Sequence, residues 1–140
     1  VLFRSLGSIG FSFPAAMGVW AASREPDSEF RGRKVISVSG DGGFAQYMGE
    51  FLTAVQYGMD ITHLVLNNNE LGKIAKEQRE EHFEVWNTSL TNLDFAGFAR
   101  SCGAPGFKVD NPGDLEAALQ KAVAHDGPSL VEVAVDPGLN

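Results

Sequence analysis

Residues 37–73, SVSGDGGFAQYMGEFLTAVQYGMDITHLVLNNNELGK, decide the fold of this chain. Two β-branched segments, Val35–Ser39 and Ile61–Leu66, flank an amphipathic segment over 44–57. The apolar residues of that segment recur at helical spacing, and Gly58 can end the helix. A helix of this length can return the chain to a neighbouring parallel strand. The stretch therefore predicts a β-α-β unit.

The alternation of strands and helices continues on both sides of this unit. The sequence predicts a helix from Ser12 or Phe13 to about Ser23, a charged helix over 71–81, a helix from Leu93 to Ser101, a weak strand at FKV, a helix with Asn111 as cap and Pro112 as first residue, and a last strand at SLVEVAV. Such alternation, without two-residue hairpin turns, favours a mainly parallel sheet with helices on both faces. We predict one α/β domain of the doubly wound class.

The composition is that of a globular domain, with 140 residues, 44% of them hydrophobic and 21% charged. A formal net charge of −7 argues against nucleic acid and anionic membranes as partners. The single cysteine, Cys102, cannot form an internal disulfide, so we predict a reducing, cytoplasmic location. The uncharged run over 6–22 resembles a signal peptide in part, but Gly and Pro interrupt it and it is too short for a membrane span.

Polar residues follow both strands of the β-α-β unit. Gly40-Asp41-Gly42-Gly43 comes after the first strand and Asn67–Asn69 after the second, with 27 residues from Asp41 to Asn68. Ligands of open α/β sheets bind beyond the carboxyl ends of the strands, so the two segments can face one ligand. Carboxylate, amide and carbonyl oxygens suit Mg²⁺ or Ca²⁺, and glycines at a helix start let backbone amides approach an anion. A metal-bridged diphosphate is one hypothesis.

A purely structural interpretation stays open at this point. GDGG can be an ordinary strand-to-helix turn, and asparagines tolerate left-handed backbone geometry. Neither segment is a Walker loop or a GxGxxG dinucleotide motif. The histidines His63, His82 and His125 stand singly in a strand or near helix ends, and we predict no catalytic role for them.

A GDG triplet followed at this distance by a terminal NN resembles the cofactor-binding signature of thiamine diphosphate enzymes. The segments GSIGFSFPAAMG, MGEFLTAVQYGMDITHLVLNNNELGKIAKEQ, DFAGFARSCGAPGFKV and GPSLVEVAVD are similar, in that order, to the carboxy-terminal domain of the pyruvate oxidase and acetolactate synthase group. The resemblance covers about 6–136. It implies a thiamine diphosphate-binding domain over 6–140 that belongs to a longer enzyme. Residues 1–5, VLFRS, match a translated sequencing adapter, and we interpret them as a scar.

The resemblance implies three ligands to Mg²⁺: a carboxylate oxygen of Asp41, the amide oxygen of Asn68 and the backbone carbonyl of Glu70, whose side chain would then be free. It also implies that the carbonyl of Gly7 accepts from the cofactor's aminopyrimidine and that Ile9 is the apolar wedge that bends the cofactor. The whole implied cofactor-binding set is Gly7, Ser8, Ile9, Gly40, Asp41, Gly42, Gly43, Asn68, Leu71 and Gly72.

The function implied by the resemblance is decarboxylation of a 2-oxo acid, most simply pyruvate, by an enzyme of the pyruvate oxidase or quinone-dependent pyruvate dehydrogenase type. Glu77 stands where acetolactate synthases carry a tryptophan, and this favours the oxidase branch. Acetolactate synthase or another 2-oxo acid decarboxylase is the alternative, and a phosphate- or nucleotide-binding module without chemistry is the non-enzymatic one.

The resemblance places no catalytic residue in this chain. The catalytic glutamate of the family lies in a separate pyrimidine-binding domain, usually of a neighbouring subunit, so we expect a homo-dimer or homo-tetramer and an inactive isolated domain. A flavin (FAD) would belong to the middle domain of the oxidases and is left open.

Overall fold

The computed structural model describes residues 8–139, with the backbone alone described at Leu139. At the centre of this part of the chain is a four-stranded sheet in which all neighbours are parallel. The strands are β1 (Val35–Gly40), β2 (Ile61–Asn67), β3 (Gly106–Val109) and β4 (Ser129–Ala134), and they lie in the order β1-β2-β4-β3. Gly7 and residues 1–5, for which the sequence makes predictions, lie outside the described residues.

Residues 8–139 also form six α-helices, of which the first precedes β1 and the others connect the strands: α1 (Ser12–Ala22), α2 (Asp41–Tyr47), α3 (Glu50–Gln56), α4 (Gly72–Glu80), α5 (Phe95–Ser101) and α6 (Leu115–Ala124). Short 3₁₀ helices span Pro112–Asp114 and Pro137–Leu139. None of these helices combines the length and the apolar character that crossing a membrane needs. The predicted α/β fold with a parallel sheet is confirmed.

Aromatic side chains build the larger core, on the sheet face covered by α1, α2, α3 and α5. Phe13, Phe44, Phe51 and Phe95, one from each helix, are at most 1% exposed. The ring of Phe44 lies 5.7 Å from the rings of both Phe13 and Phe95, in edge-on contacts. Such pairs add to the free energy of burying large apolar area. Phe44 therefore anchors α2, and with it the preceding residues 40–43, to the sheet.

The second face of the sheet is covered over only part of its width. Helix α6 packs Ala118 and Ala122 against Val131 and its neighbours. On the same face, in strand β1, Ile36 is 58% exposed and Val38 is 50% exposed. Helices thus lie on both faces, as the sequence predicts, and apolar surface stays uncovered beside the edge strand β1.

The single helix predicted over 44–57 is instead two helices. Helix α2 already begins at Asp41, and the chain changes pitch at Met48 and Gly49, where Phe51 N and Leu52 N donate to carbonyls three residues back. Glycine lowers helix propensity, which makes this a natural place for a tighter turn.

Two other predicted helix starts are shifted. Helix α5 begins at Phe95 rather than Leu93, because the Asp94 carboxylate caps it by accepting from Gly97 N at 2.8 Å. Asn111 makes no side-chain capping bond, and Pro112 opens a 3₁₀ turn that leads into α6. A capping side chain sets the start of α5, and a 3₁₀ turn delays the start of α6; the periodicity of apolar residues reveals neither feature.

Candidate functional site

The carboxyl ends of β1 and β2 bring the two polar segments together. Gly40 pairs in register with Leu66, so Asp41 and Asn67–Asn69 leave the sheet side by side. The backbone N–H of Asn69 donates to the Asp41 carboxylate, with 2.8 Å between N and Oδ2. The β-α-β crossover therefore brings Asp41 into direct contact with Asn69, which follows Asn68 and lies 28 residues from Asp41 in the chain.

Asp41 is the buried centre of this region, with 2% of its surface exposed. Its Oδ1 accepts from Gly42 N at 2.9 Å. Its Oδ2 accepts from Asn69 N at 2.8 Å and from Asn92 Nδ2 at 2.6 Å. All three donors are neutral, so they orient the carboxylate and satisfy its oxygens without cancelling the negative charge that a cation would meet.

The loop after β2 is held in one conformation by its own side chains and by a facing segment. Asn68 Oδ1 accepts from Glu70 N at 3.1 Å, and Asn69 adopts a left-handed φ of 56°. Leu71 N donates to Thr88 O, and Leu90 N donates to Asn69 O, both at 2.8 Å. The backbone of Glu70 is thereby fixed beside Asp41. The left-handed geometry of Asn69 matches the structural interpretation of that asparagine.

The Glu70 side chain differs from the prediction that it is free. Only 12% of it is exposed, and its Oε1 lies 3.3 Å from a guanidinium nitrogen of Arg79 in α4. Its Oε2 is buried and has no hydrogen-bond partner within residues 8–139. The prediction was wrong because Arg79 lies two turns along α4, where the helix brings it back over the loop.

The glycines allow three segments to pack closely. A Cβ on Gly42 would lie 2.7 Å from Leu71 Cδ2 and 3.1 Å from Leu90 Cδ1. A Cβ on Gly43 would lie 3.6 Å from Gly10 N. Gly10 has φ +86°, and a side chain there would meet the Tyr47 ring at 2.7 Å. The turn over 8–10 therefore sits directly on the start of α2.

An open cavity of about 840 Å³ runs along the free edge of β1. At one end it is bounded by the residues for which the sequence predicts cofactor contacts: Ser8, Ile9, Gly40, Asp41, Gly42, Gly43, Leu71 and Gly72, together with Glu70. Ile9 is 47% exposed, and its side chain lies about 4 Å from where a Cβ of Gly42 or Gly43 would be. Asn68 is half-buried and does not line this cavity.

The donor set suits a hard cation. Asp41, Asn68 and the Glu70 carbonyl offer oxygens only, the ligand type of Mg²⁺. No group of three His, Cys, Asp or Glu side chains within residues 8–139 could hold a metal ion by itself. A cation beside Asp41 would therefore complete its coordination with oxygens from a second ligand, such as a diphosphate. Gly42 and Gly43, at the start of α2, line the cavity beside Asp41.

His63 is a core residue beneath this region. Its ring lies 4.6 Å from the ring of Phe44 and 5.0 Å from that of Phe13. Its Nε2 lies 3.0 Å from Ser39 Oγ, and its Nδ1 is buried without a partner in the described chain. Burial lowers the pKa of His63 to about 3, so the ring is neutral at ordinary pH.

Sequence reasoning missed two side chains that complete the site. Asn92, in the coil before α5, donates to Asp41, and Glu132 of β4 accepts from Asn67 Nδ2 at 2.8 Å. A signal existed for Glu132, because a charged residue inside the buried run SLVEVAV needs a partner. Nothing in the local sequence marks Asn92.

Comparison with known proteins agrees with this geometry. Residues 2–133 match the family model described as thiamine pyrophosphate enzyme, C-terminal TPP binding domain. A Bacillus subtilis protein, YdaP, named as thiamine pyrophosphate-containing, is 39% identical over 130 residues, which are 93% of this chain and 21% of that protein. The catabolic acetolactate synthase of Raoultella terrigena is 33% identical over 129 residues, 92% of this chain and 22% of that enzyme.

A third relative is the mitochondrial acetolactate synthase catalytic subunit of Saccharomyces cerevisiae, 36% identical over 133 residues, which are 94% of this chain and 18% of that subunit. The chain thus spans about a fifth of the length of these relatives. The family model matches nearly the whole chain. This agrees with three features of the structure: the buried Asp41, the glycine-rich start of α2 and the parallel sheet. This chain belongs to the C-terminal thiamine diphosphate-binding domain family of the thiamine pyrophosphate enzymes.

Proposed function

We propose that this chain binds the diphosphate end of thiamine diphosphate through Mg²⁺, as part of an enzyme that converts a 2-oxo acid. The observation that carries the proposal is the buried carboxylate of Asp41, which neutral donors from α2, the 67–69 loop and Asn92 hold at the mouth of a cavity. When bound, thiamine diphosphate supplies the carbon centre at which the substrate is activated.

The residues of this chain have separate tasks in the proposal. Asp41, Asn68 and the Glu70 carbonyl hold the metal, and the start of α2 receives the diphosphate. Ile9 and Leu71 contribute apolar surface beside Gly42. This apolar surface orients the cofactor and keeps water from it. The proton-transferring glutamate is expected from a pyrimidine-binding domain in a homo-oligomer, so the catalytic steps themselves are not assigned to residues of this chain.

For the reaction, we favour the acetolactate synthase type, because the printed names of several relatives state that activity. This reverses the preference expressed by the sequence alone for a pyruvate oxidase. One observation keeps the oxidase type as a second candidate. Glu77 of α4, where acetolactate synthases carry a tryptophan, is exposed and pairs with Lys73 at 2.6 Å.

A binding experiment tests the proposal. Calorimetry on the protein that carries this chain should show thiamine diphosphate binding that requires Mg²⁺. Asp41→Ala should weaken that binding at least ~10-fold, since the metal loses its only charged ligand in the proposed site. The matched control is Asp110→Ala, because Asp110 is an exposed aspartate in another part of the chain. Binding that ignores the metal, or that survives the loss of Asp41, would contradict the proposal.

A product assay separates the two reactions. With pyruvate, Mg²⁺ and thiamine diphosphate, an acetolactate synthase forms acetolactate without an external electron acceptor. An oxidase-type enzyme consumes pyruvate only when oxygen or a quinone accepts electrons, and the absorption spectrum of the protein would then reveal a flavin. Binding of diphosphate-containing nucleotides as tight as that of thiamine diphosphate would instead favour a module without chemistry.

A further inference from the structure

A chain of side-chain hydrogen bonds runs from Asp41 into the sheet. Asn92 Nδ2 lies 2.6 Å from Asp41 Oδ2 and 2.9 Å from Asn67 Oδ1, and Asn69 Oδ1 is at 3.2 Å. Asn67 Nδ2 lies 2.8 Å from Glu132 Oε1. Two amides thus connect two carboxylates, one at the start of α2 and one in β4, that are 2% exposed each.

The direction of every bond in this chain is determined by chemistry. An ionised carboxylate can only accept, so Asn92 and Asn67 must turn their N–H groups toward Asp41 and Glu132. Asn67 then presents its oxygen to Asn92 and also accepts from Asn69 N at 3.2 Å. A reversed Asn67 amide would place two N–H groups face to face. Glu132 therefore fixes the orientation of Asn67, and Asn67 helps to fix Asn92.

Glu132 is itself held by the protein backbone. Its Oε2 accepts from Ala96 N, in the first turn of α5, at 3.0 Å. The carboxylate thus links β4, the end of β2 and the start of α5 at one buried point. A buried carboxylate with neutral partners is expensive to retain, which suggests a task beyond stability.

Asparagine at position 92 suits the predicted metal site better than a basic residue would. Lysine or arginine would pair with Asp41 and cancel the charge that attracts a cation, whereas an amide restrains the carboxylate and leaves it charged. Partners of this kind, one step removed from the metal, orient ligands and raise metal affinity.

We propose that Asn92 and Glu132 are positioning residues for the metal site, which hold the Asp41 carboxylate in its metal-binding orientation, Asn92 by its own hydrogen bond to Asp41 and Glu132 through Asn67. This inference rests on the proposed function, because it assigns their role toward Mg²⁺. Neither residue contacts the metal in the proposal. Their effect is transmitted by the hydrogen bonds to Asp41 and to the 67–69 loop.

A double-mutant cycle on Mg²⁺ affinity tests the inference. Calorimetry at saturating thiamine diphosphate compares the wild type with Asn92→Ala, Glu132→Gln and the double variant. Each single variant should bind Mg²⁺ ~10-fold more weakly. The double variant should lose about the same factor rather than ~100-fold, because both changes break one connected chain. Asn111→Ala and Glu116→Gln are the matched controls, at exposed positions outside the chain, and should leave the affinity unchanged.

Three outcomes separate the possibilities. Unchanged Mg²⁺ affinity in the folded single variants, or additive losses in the double variant, would overturn the positioning role and leave the proposed function intact. A wild type that binds no Mg²⁺ with thiamine diphosphate would overturn the proposed function itself.

A measurement on the wild type tests the inference even where a variant fails to fold. In nuclear magnetic resonance spectra, the side-chain amide protons of Asn67 and Asn92 should exchange with solvent much more slowly than those of Asn111, because they are hydrogen-bonded and partly buried. Exchange as fast as that of Asn111 would show that the chain of bonds does not persist in solution, and would reject the inference.

Discussion

A single buried carboxylate organises the candidate site at the scale of residues. Burying an ionised Asp41 is unfavourable unless its oxygens are satisfied, and three neutral donors within 2.9 Å do this. The same donors come from three places in the chain, so the carboxylate also holds those segments together. Asp41, the proposed metal ligand, is therefore also one of the residues that hold the site together.

Gly10 offers a residue-scale prediction. Gly10→Ala forces an L-residue to φ +86° and places its Cβ 2.7 Å from the Tyr47 ring and 3.2 Å from Gly43 O. We expect the free energy of unfolding to fall by about 2 kcal/mol, from backbone strain and crowding together. Urea denaturation measures the change.

Gly32→Ala is the matched control for that prediction. Gly32 also has a positive φ, +74°, but a Cβ there would meet nothing within 4 Å. Gly32→Ala should lower the free energy of unfolding only by the contribution of backbone strain, about 1 kcal/mol. Equal losses in the two variants would show that the turn over 8–10 is not packed tightly on α2.

At the scale of elements, helix α5 lies unusually close to strand β3. A Cβ on Gly106 would lie 2.0 Å from Ala96 O and 2.8 Å from Ala96 C, both backbone atoms. The Arg100 guanidinium also donates to Gly106 O at 2.7 Å. Ala96 is also the residue whose backbone N–H donates to Glu132 of β4, so a shift of α5 away from β3 would disturb that bond as well.

Gly106→Ala should therefore destabilise the fold strongly. The helix and the strand must separate, since no flexible side chain can move aside, and we expect a loss of about 3 kcal/mol in the free energy of unfolding. Thermal and chemical denaturation measure it. Gly113→Ala, at a glycine with open space around it, should change stability by less than about 1 kcal/mol. A mild effect at Gly106 would contradict the close packing of α5 on β3.

At the scale of the whole molecule, His63 couples stability to pH. Its pKa is lowered by burial to about 3 in the folded chain, against 6.5 for an exposed histidine. As pH falls below 6.5 the unfolded chain binds the proton first, so stability is retained above 6.5 and lost toward pH 3. The slope from this one group is about 1.4 kcal/mol per pH unit, and the full loss is up to about 5 kcal/mol.

The comparison that isolates His63 is a difference in slopes. The free energy of unfolding of the wild type should fall more steeply between pH 6.5 and 4 than that of His63→Gln, which has nothing to titrate there. His82→Gln, at an exposed histidine, should follow the wild-type curve. Parallel curves for the wild type and His63→Gln would show that protonation of His63 in the folded chain does not lower the free energy of unfolding, and would contradict this prediction.

Ligand binding should also stabilise the molecule as a whole. Thiamine diphosphate with Mg²⁺, at about 100 times its dissociation constant, should add about 2.7 kcal/mol to the free energy of unfolding. For a chain of 140 residues this corresponds to a rise in Tm of roughly 5–10 °C, measured by differential scanning fluorimetry. Asp41→Ala should show no such rise, and neither should the wild type without Mg²⁺. A rise that is independent of Mg²⁺ would speak against a metal-bridged diphosphate.

Much of the fold follows from local patterns. The strands β1, β2 and β4 are short segments rich in apolar and β-branched residues, and the helices between them show apolar residues at helical spacing. Their boundaries depend on side-chain caps such as Asp94 and on the change of pitch at Gly49, which is why the predicted starts were shifted. The incomplete cover beside Ile36 and Val38 was not predictable either, since periodicity shows that a surface is apolar but not what packs on it.

By itself the sequence determined the β-α-β unit and the meeting of Asp41 with the asparagines, because strand pairing at a parallel crossover brings the carboxyl ends of the strands to one edge. It also determined the family, through motifs that extend over nearly the whole chain. Only the tertiary structure decided which side chains hold the carboxylate. Asn92 lies 51 residues from Asp41, and Glu132 lies 65 residues from Asn67. Contacts near 3 Å between such distant positions depend on how α5 and β4 pack, which no local pattern encodes.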